Sequence, residues 1–412
     1  MSSEALPGFP FPACPGARPP ARYAQLVAEP GLPRVLLPSG VEALLVTRYE
    51  EVRTVLSDDR FSREAFPGRP MFARSPESIS LAVSDPPVHT RRRRAVLPDF
   101  TARQARRLAP RVRELAERAS DGLAALPQPA DLVEGFTAPF ALSVVTELLG
   151  MPAADGQRLR PLMAAMTSVG GRTPEEVAEA HRQVQEYFAD LVDQHVARIA
   201  AGRPGADVLS RLLTAPQDGR LSRREVVVFG AGTLMAGFET TANQLAMTVL
   251  TVLRRPGLAG RLRSDPAALE RAVEETLRWS ALIGTGGAAH VALADVRVGE
   301  VLVRAGEVVV PLHDAANQDA AVFERPEVFD PGRTDNPHLA FGHGRHLCLG
   351  APLARTELRT GLAVLLDRFP DLRPAGPEES LRWREDAFIR GPLALPVRWD
   401  APSRPAAGGG AG

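Results

Sequence analysis

Two short apolar runs open the chain, Arg34 to Leu37 and Ala43 to Thr47, separated by Pro38-Ser39-Gly40. Apolar stretches joined across a Pro and Gly turn read as a β-hairpin, so a small sheet begins the fold. From Thr101 to Leu126 the spacing changes to the three-and-four rhythm of an amphipathic helix, with arginines on the polar side. The same rhythm returns over Phe136 to Leu149, Glu175 to Ala201 and Asp207 to Leu213. The longest such stretch, Ser222 to Leu253, starts at a Ser with Glu225 three residues on and ends before Pro256, the signature of a reciprocally capped helix. Its centre, Ala231-Gly232-Thr233-Leu234-Met235-Ala236-Gly237, is apolar nearly all round, which predicts a path through the interior. A buried helix of about thirty residues is rare against the roughly 8 to 20 usual in globular proteins. Another helix is predicted over Pro266 to Trp279. β-prone pieces follow at Val296 to Val298, Val301 to Val303 and Val308 to Leu312, split by Gly299-Glu300 and Ala305-Gly306. An irregular stretch from Phe323 to His343 leads to a last helix, Leu349 to Phe369, and to short strands near Leu393 to Val397. Ala401 to Gly412 is low in complexity and predicted disordered. There are no repeats.

Composition narrows the classes. At 412 residues and 44% apolar content the chain can bury a large core, although length alone permits one large domain or several ordinary ones. The 49 basic and 49 acidic residues cancel, so the total charge selects neither nucleic acid nor an anionic membrane as partner. Every basic residue besides histidine is an arginine, which reads as the bias of a GC-rich bacterial genome. Only Cys14 and Cys348 occur, so no disulfide framework is expected and a reducing cytoplasm fits. The amino terminus has an early Glu4 and repeated prolines, without the basic start and apolar run of a signal peptide. No segment offers about 20 apolar residues free of charge. A soluble, cytoplasmic protein is expected.

The chemistry concentrates in Phe341-Gly342-His343-Gly344-Arg345-His346-Leu347-Cys348-Leu349-Gly350-Ala351, directly before the last helix. A thiolate there sits near a helix amino terminus, where free N–H groups and the macrodipole favour negative charge. Gly344 permits the tight turn that presents the sulfur. Gly350 lets the helix approach a flat macrocycle, Phe341 can shield the sulfur, and Arg345 and His346 can face a carboxylate. A single cysteine is more often just a small buried apolar residue. A zinc site needs more soft ligands than Cys348 and its histidines supply, and a cysteine-nucleophile hydrolase needs a base less close in sequence than His346.

Inside the long helix, Ala236-Gly237-Phe238-Glu239-Thr240-Thr241 sets an acid beside an alcohol in apolar surroundings, a costly arrangement unless the groups are used or paired. Gly237 weakens the helix and a hydroxyl bonding back to a carbonyl helps open a groove that can hold oxygen. The plain alternative is a bent helix with a back-bonded Thr and an acid paired to an Arg. Glu275 and Arg278 lie at i and i+3 on one helix face, which alone describes an ordinary surface pair. After Ser84-Asp85-Pro86-Pro87, which ends a loop and starts a helix, His89 and Arg93 stand at i and i+4 and can converge on one anion. The alternative for this stretch is a solvated basic face.

Phe341, Gly344, Cys348 and Gly350 together resemble the haem-binding signature of the cytochrome P-450 family, and the resemblance runs from about Arg22 to Val397 with the motifs in order. It implies a mainly α fold, an α-rich domain over 22–400 with a small β-rich subregion, flanked by a Pro-rich leader (1–21) and a disordered tail (401–412). Haem b would lie between the long helix and the helix that follows Cys348, its proximal ligand. Implied beside the haem are Ala236, Gly237, Phe341, Gly344, Arg345, His346 and Gly350, with His89, Arg93 and His290 toward its propionates. Glu239 and Thr240 are the implied proton-relay pair, and Glu275 with Arg278 a buried structural pair. Over the haem the match places Gly232, Met235, Ala236, Gly286, Ala288, Phe388 and Ile389, with Met71 and Phe72 closing the pocket. Small residues at Gly232, Ala236, Gly286 and Ala288 suggest room for a bulky polyketide, macrolide or terpenoid intermediate of secondary metabolism.

Two positions depart from the family pattern. His290 stands where bacterial relatives commonly carry an Arg for a propionate, so that pairing is expected to be weaker and pH-sensitive. Val328 stands where an Arg often completes a triad with Glu275 and Arg278, and Arg333 is the candidate substitute. The implied activity is insertion of one oxygen atom of O2 into a C–H or C=C bond. One cysteine beyond Cys348 cannot hold an iron–sulfur cluster and no flavin segment is present, so the electrons of NAD(P)H are expected through a separate ferredoxin and ferredoxin reductase. Arg91, Arg92, Arg94, Arg103, Arg106, Arg107 and Arg345 are candidates for the basic surface that meets an acidic ferredoxin. A monomer that binds neither nucleic acid nor membrane is expected. The rival readings are an oxidative rearrangement, ring coupling or peroxide-driven reaction on the same fold, and a haem-binding recruitment or gas-sensing module. The Glu239 and Thr240 pair argues against the peroxide route and against the module.

Overall fold

The helix expected over Ser222 to Leu253 organises the molecule. In the computed structural model, which describes residues 6–12, 16–66, 80–169, 171–216, 220–283, 287–384 and 387–402, it spans Arg223–Leu253. Ser222 accepts from the Glu225 N–H while the Glu225 carboxylate accepts from the Ser222 N–H, so both orphan donors of the first turn are satisfied. At about 1.5 Å per residue this central helix is about 46 Å long. It packs against the helices Ala138–Leu149, Pro174–Ala200 and Ala351–Arg368. The core divides around it. One cluster gathers Phe136, Phe140, Leu245, Leu362, Phe369 and Trp399, and another gathers Met163, Phe188, Leu209, Leu234 and Phe238.

A five-stranded sheet supplies the β-rich part, in the order Arg34–Leu36, Glu42–Val46, Val308–Pro311, His290–Ala292, Phe61–Ser62. The expected hairpin forms, with Val35 opposite Ala43. Glu42–Val46 runs parallel to Val308–Pro311, whereas Phe61–Ser62 pairs antiparallel with the strand at His290, Ser62 opposite Val291. That register brings the residue after Ser62 beside His290 across more than two hundred residues of sequence. The pieces Val296–Val298 and Val301–Val303 form a separate hairpin.

Most expected elements appear within two residues of their sequence bounds. The helix Ala102–Ala124 starts at Thr101, whose side chain accepts from the Gln104 N–H, and Pro266–Trp279 keeps its expected limits. Helices at Ala21–Ala28, Tyr49–Ser57, Ala153–Met166 and Leu258–Ser264 were not anticipated. The leader departs from expectation, because its described part is built into the fold. Phe9 is buried, Gly8 bridges Leu36, the Phe9 N–H donates to the Leu36 carbonyl, and Arg390 donates to the carbonyls of Gly16 and Arg18. Most of the tail, 403–412, lies outside the described residues. Among the described residues no single helix is long and apolar enough to cross a membrane.

Candidate active site

The cysteine segment is a closed loop. The Cys348 N–H donates to the Phe341 carbonyl at 2.8 Å, the Leu347 N–H to the Gly344 carbonyl at 3.1 Å, and the helix Ala351–Arg368 begins three residues beyond the sulfur. Gly344 has φ of +68°, and a Cβ there would collide with the carbonyl oxygen of Leu56, so no other residue fits. Phe341 packs on the core with the Arg355 guanidinium 4.5 Å over its ring. The Cys348 side chain is accessible, yet its surroundings are those of the interior. Burial pushes its thiol above the ordinary value, while the backbone N–H of Gly350, Arg93, the backbone N–H of Ala351 and Arg355 all favour the thiolate. Those four influences offset part of what burial costs the anion, and a cation bound to the sulfur would supply the rest.

The central helix presents an open face. Gly232, Ala236 and Thr240 follow at i, i+4 and i+8. A Cβ on Gly232 would meet nothing within 4 Å, and Ala236 is exposed although Leu234, Phe238 and Glu239 on either side are buried. Met235 borders the same core cluster as Leu349, the residue after Cys348, which ties this part of the helix to the cysteine loop. A Cβ on Gly350 would also find open space. Gly237 departs from expectation. Its missing side chain lies against Val145, whose Cγ2 would be 3.0 Å from a Cβ, so its size serves the approach of the Ala138–Leu149 helix and not the open face. The helix continues through this point without a break.

The Thr240 hydroxyl donates to the Ala236 carbonyl at 2.5 Å. Glu239, 2% exposed, forms an ion pair with Arg384, and its own carbonyl accepts from the Asn243 amide at 2.8 Å. Arg384 is held within reach through Gly391, which sits against the central helix. The Arg384 N–H donates to the Gly391 carbonyl, and Gly391 presses on Asn243 too closely for any side chain. Of the residues expected over the haem, Ala288 and Phe388 are half-buried and Ile389 is 3% exposed, bridged to Ile283, which makes Ile389 part of the packed interior. Met71, Phe72 and Gly286 lie outside the described residues.

A cluster of imidazoles and guanidiniums converges near the cysteine loop. His89, 2% exposed, stacks on His346 with ring centroids 4.4 Å apart, and Arg93 donates to the Leu347 carbonyl at 2.8 Å. Burial, Arg93, Arg345 and Arg63 hold His89 down at about 4, with only Asp85 opposing. Burial and Arg63 likewise bring His313 to about 4. His290 is driven well below its ordinary range by burial and then by Arg63. Arg345 is paired with Asp59 at the surface. Of the arginines expected to form a basic face, Arg91 and Arg92 instead hold Glu225, while Arg94, Arg103, Arg106 and Arg107 are exposed. Among the described residues no group of three or more His, Cys, Asp or Glu side chains converges as a metal cage, so the zinc reading finds no ligand set there.

Glu275 and Arg278 are wholly buried and not a surface pair. Arg278 donates two bonds to the carboxylate, 2.7 and 2.8 Å, and others to the carbonyls of Asn317, Pro326 and Val328. The third member of the cluster is Arg333, whose Nε donates to Glu275 at 3.1 Å and whose side chain is 9% exposed. Val328 contributes only its carbonyl. Sequence reasoning missed Arg384, His313 and Arg63, whose partners are distant in the chain and leave no local pattern.

The cytochrome P450 family model matches residues 138–380, and the chain belongs to that family. It is therefore a haem-dependent monooxygenase, an oxidoreductase drawing electrons from NAD(P)H through redox partners. Over 382 residues, covering 92% of this chain and 94% of the relative, it is 44% identical to nocardicin C N-oxygenase of Nocardia uniformis subsp. tsuyamanensis. It is 43% identical over 403 residues, 97% of this chain and the whole of the other, to mycinamicin IV hydroxylase/epoxidase of Micromonospora griseorubida. The solved structure of HinD with NMFT and NO superposes with a TM-score of 0.88 at 42% identity, covering 96% of this chain and all of that one.

The residues fit a haem. Its iron asks for a sulfur ligand, and around Cys348 the N–H groups of Gly350 and Ala351 with Arg93 and Arg355 offset part of the burial that raises its thiol. Its flat ring asks for space beside small residues, which Gly232, Ala236 and Gly350 leave. Its two carboxylates ask for cations and ring N–H groups, and the buried nitrogens His89 Nε2 and His313 Nε2 have no hydrogen-bond partner among the described residues.

Proposed function

We propose that this protein oxygenates a bulky apolar intermediate of secondary metabolism, a polyketide, macrolide or terpenoid, with Cys348 as the iron ligand. The observation that carries the reading is the Cys348 sulfur at the start of the Ala351–Arg368 helix, with N–H groups and two arginines favouring its thiolate. Haem, once bound, supplies the activation of dioxygen for insertion into a C–H or C=C bond. The chain's residues do the rest. Gly232 and Ala236 leave room on the open face for a large molecule, and Ala288 and Phe388 bound it from the other side. The Thr240 hydroxyl can release the Ala236 carbonyl and pass a proton into that space. Glu239 resupplies Thr240 once its carboxylate has turned away from Arg384 and taken a proton from solvent.

The named relatives act as an N-oxygenase and as a hydroxylase/epoxidase in antibiotic chemistry, which supports the substrate class. Arg94, Arg103, Arg106 and Arg107 form the basic surface on which an acidic ferredoxin, itself reduced by a ferredoxin reductase, would dock. We place the enzyme in the cytoplasm as a soluble monomer, a single catalytic domain into which the described part of the leader is packed. The test is a screen of such compounds for a shift in the haem spectrum, then turnover with surrogate ferredoxin and reductase under isotopically labelled O2. Incorporation of one labelled oxygen supports the reading. NADPH consumption without any oxygenated product, or a coupled or rearranged product free of label, contradicts it.

A further inference from the structure

We propose that Arg63 supplies the lasting positive charge for one haem carboxylate and that His290, neutral, acts as the acceptor that aims it. The inference rests on the haem-binding reading above and adds a residue to it. Ser62 opposite Val291 puts Arg63 beside His290 at the end of the strand pair. The Arg63 Nε donates to His290 Nε2 at 3.0 Å, which requires a lone pair on that nitrogen and hence a ring proton on Nδ1 alone. His290 therefore cannot serve as the cation at the position where the family pattern led us to expect an arginine.

The guanidinium is fixed from the other side as well. Its Nη1 donates to the Ala82 carbonyl at 3.1 Å, and its backbone N–H donates to Asp85 Oδ1 at 3.3 Å while Asp85 Oδ2 takes the Ser62 hydroxyl. Asp85 thus spends its oxygens on a hydroxyl and a backbone N–H and accepts nothing from the Arg63 side chain. No carboxylate among the described residues forms an ion pair with Arg63, and Nη2 makes no hydrogen bond there. Arg93 is in the same condition, bonded to the neutral Leu347 carbonyl. Two guanidiniums whose side chains donate only to neutral acceptors, with Asp85 near Arg63 and the Cys348 sulfur near Arg93 compensating part of their charge, remain able to pair with further anions in a largely buried cluster. Haem brings two carboxylates. Burial draws Arg63 down only to about 10, so it stays charged at neutral pH, and its charge adds to the burial that already disfavours protonation of His89, His290 and His313.

The experiment measures haem transfer from the purified ferric holoenzyme to excess apomyoglobin, with the reduced carbon monoxide spectrum and the reduction potential recorded for each variant. Arg63→Gln is expected to lose haem at least about tenfold faster, to keep the thiolate-type spectrum, and to show a lower potential because a carboxylate near the iron is left less neutralised. His290→Arg in the Arg63→Gln background should restore slow transfer, a rescue that a merely structural Arg63 would not allow. Should Arg63→Gln fail to fold, Arg63→Lys carries the test, since it keeps the charge without the planar fork and should lose haem faster than the parent but retain its potential. Transfer at the parental rate in Arg63→Gln, or no rescue by His290→Arg, overturns the proposal. Failure of the underlying reading is distinct, because it would remove the thiolate spectrum from the parent itself.

Discussion

Replacing Arg333 by Met tests whether a cation more than fifty positions beyond the Glu275 helix completes the buried ion cluster. The perturbation keeps the apolar stem and deletes the Nε donor 3.1 Å from Glu275, along with a 3.0 Å bond to the Glu324 carbonyl. At that separation and an effective dielectric of about 20, the gross attraction is about 5 kcal/mol, much of it offset by desolvation. Charge-assisted hydrogen bonds contribute about 1.5 to 3 kcal/mol net. Glu275 would keep both bonds from Arg278, one from the Asn336 amide and one from the Asp330 N–H, so it is not left bare. We expect Arg333→Met to cost about 2 kcal/mol. Arg278→Met, which also abandons three backbone carbonyls, should cost more, about 3 to 5 kcal/mol. The assay is urea unfolding of the holoenzyme followed by tryptophan fluorescence and Soret absorbance, comparing midpoints at unchanged slope. A loss within about 0.5 kcal/mol for Arg333→Met, or a loss equal to that of Arg278→Met, would refute the assignment.

Thr240→Ala removes the hydroxyl that the open face offers, and should leave haem content unchanged while diverting electrons from product to hydrogen peroxide; full coupling of NADPH to product would show that Thr240 relays nothing. A pH effect follows from Asp314, which burial raises to about 7, with Arg390 opposing. The folded state then keeps a proton that the unfolded chain releases above about 4, so stability falls as pH rises from about 4 to about 7. Asp314→Asn should flatten that fall, gaining up to about 4 kcal/mol over the parent across the window; urea midpoints of the two proteins that run parallel between pH 4.5 and pH 7.5 would contradict it.

Periodicity made the central helix, its cap and most of the β pieces legible, because each is written in a contiguous stretch of side chains. The leader was not, since its place depends on backbone bonds with Leu36 and on the guanidinium of Arg390, some 370 residues further along the chain. The short helices at Ala21–Ala28 and Leu258–Ser264 carry too few turns for a repeat to stand out. In the site, Cys348, Glu239 and Thr240 form contiguous motifs, so the candidates could be named before any fold was seen. Gly237 was misread because a glycine's local effect on a helix and its use for close packing look the same in sequence. His290 drew attention only as a departure. The answer to it, Arg63, lies 227 residues away and emerges from strand register alone. Likewise Glu239 could be expected to pair with an arginine, but nothing short of the fold identifies Arg384.

The account depends above all on an ionised Cys348 sulfur bound to iron. The most direct measurement is the spectrum of the reduced, carbon monoxide-bound holoenzyme beside that of Cys348→Ala. The account predicts a red-shifted Soret band in the parent and its loss in the variant. A parent spectrum without that band, or a Cys348→Ala protein that retains it, would contradict the account.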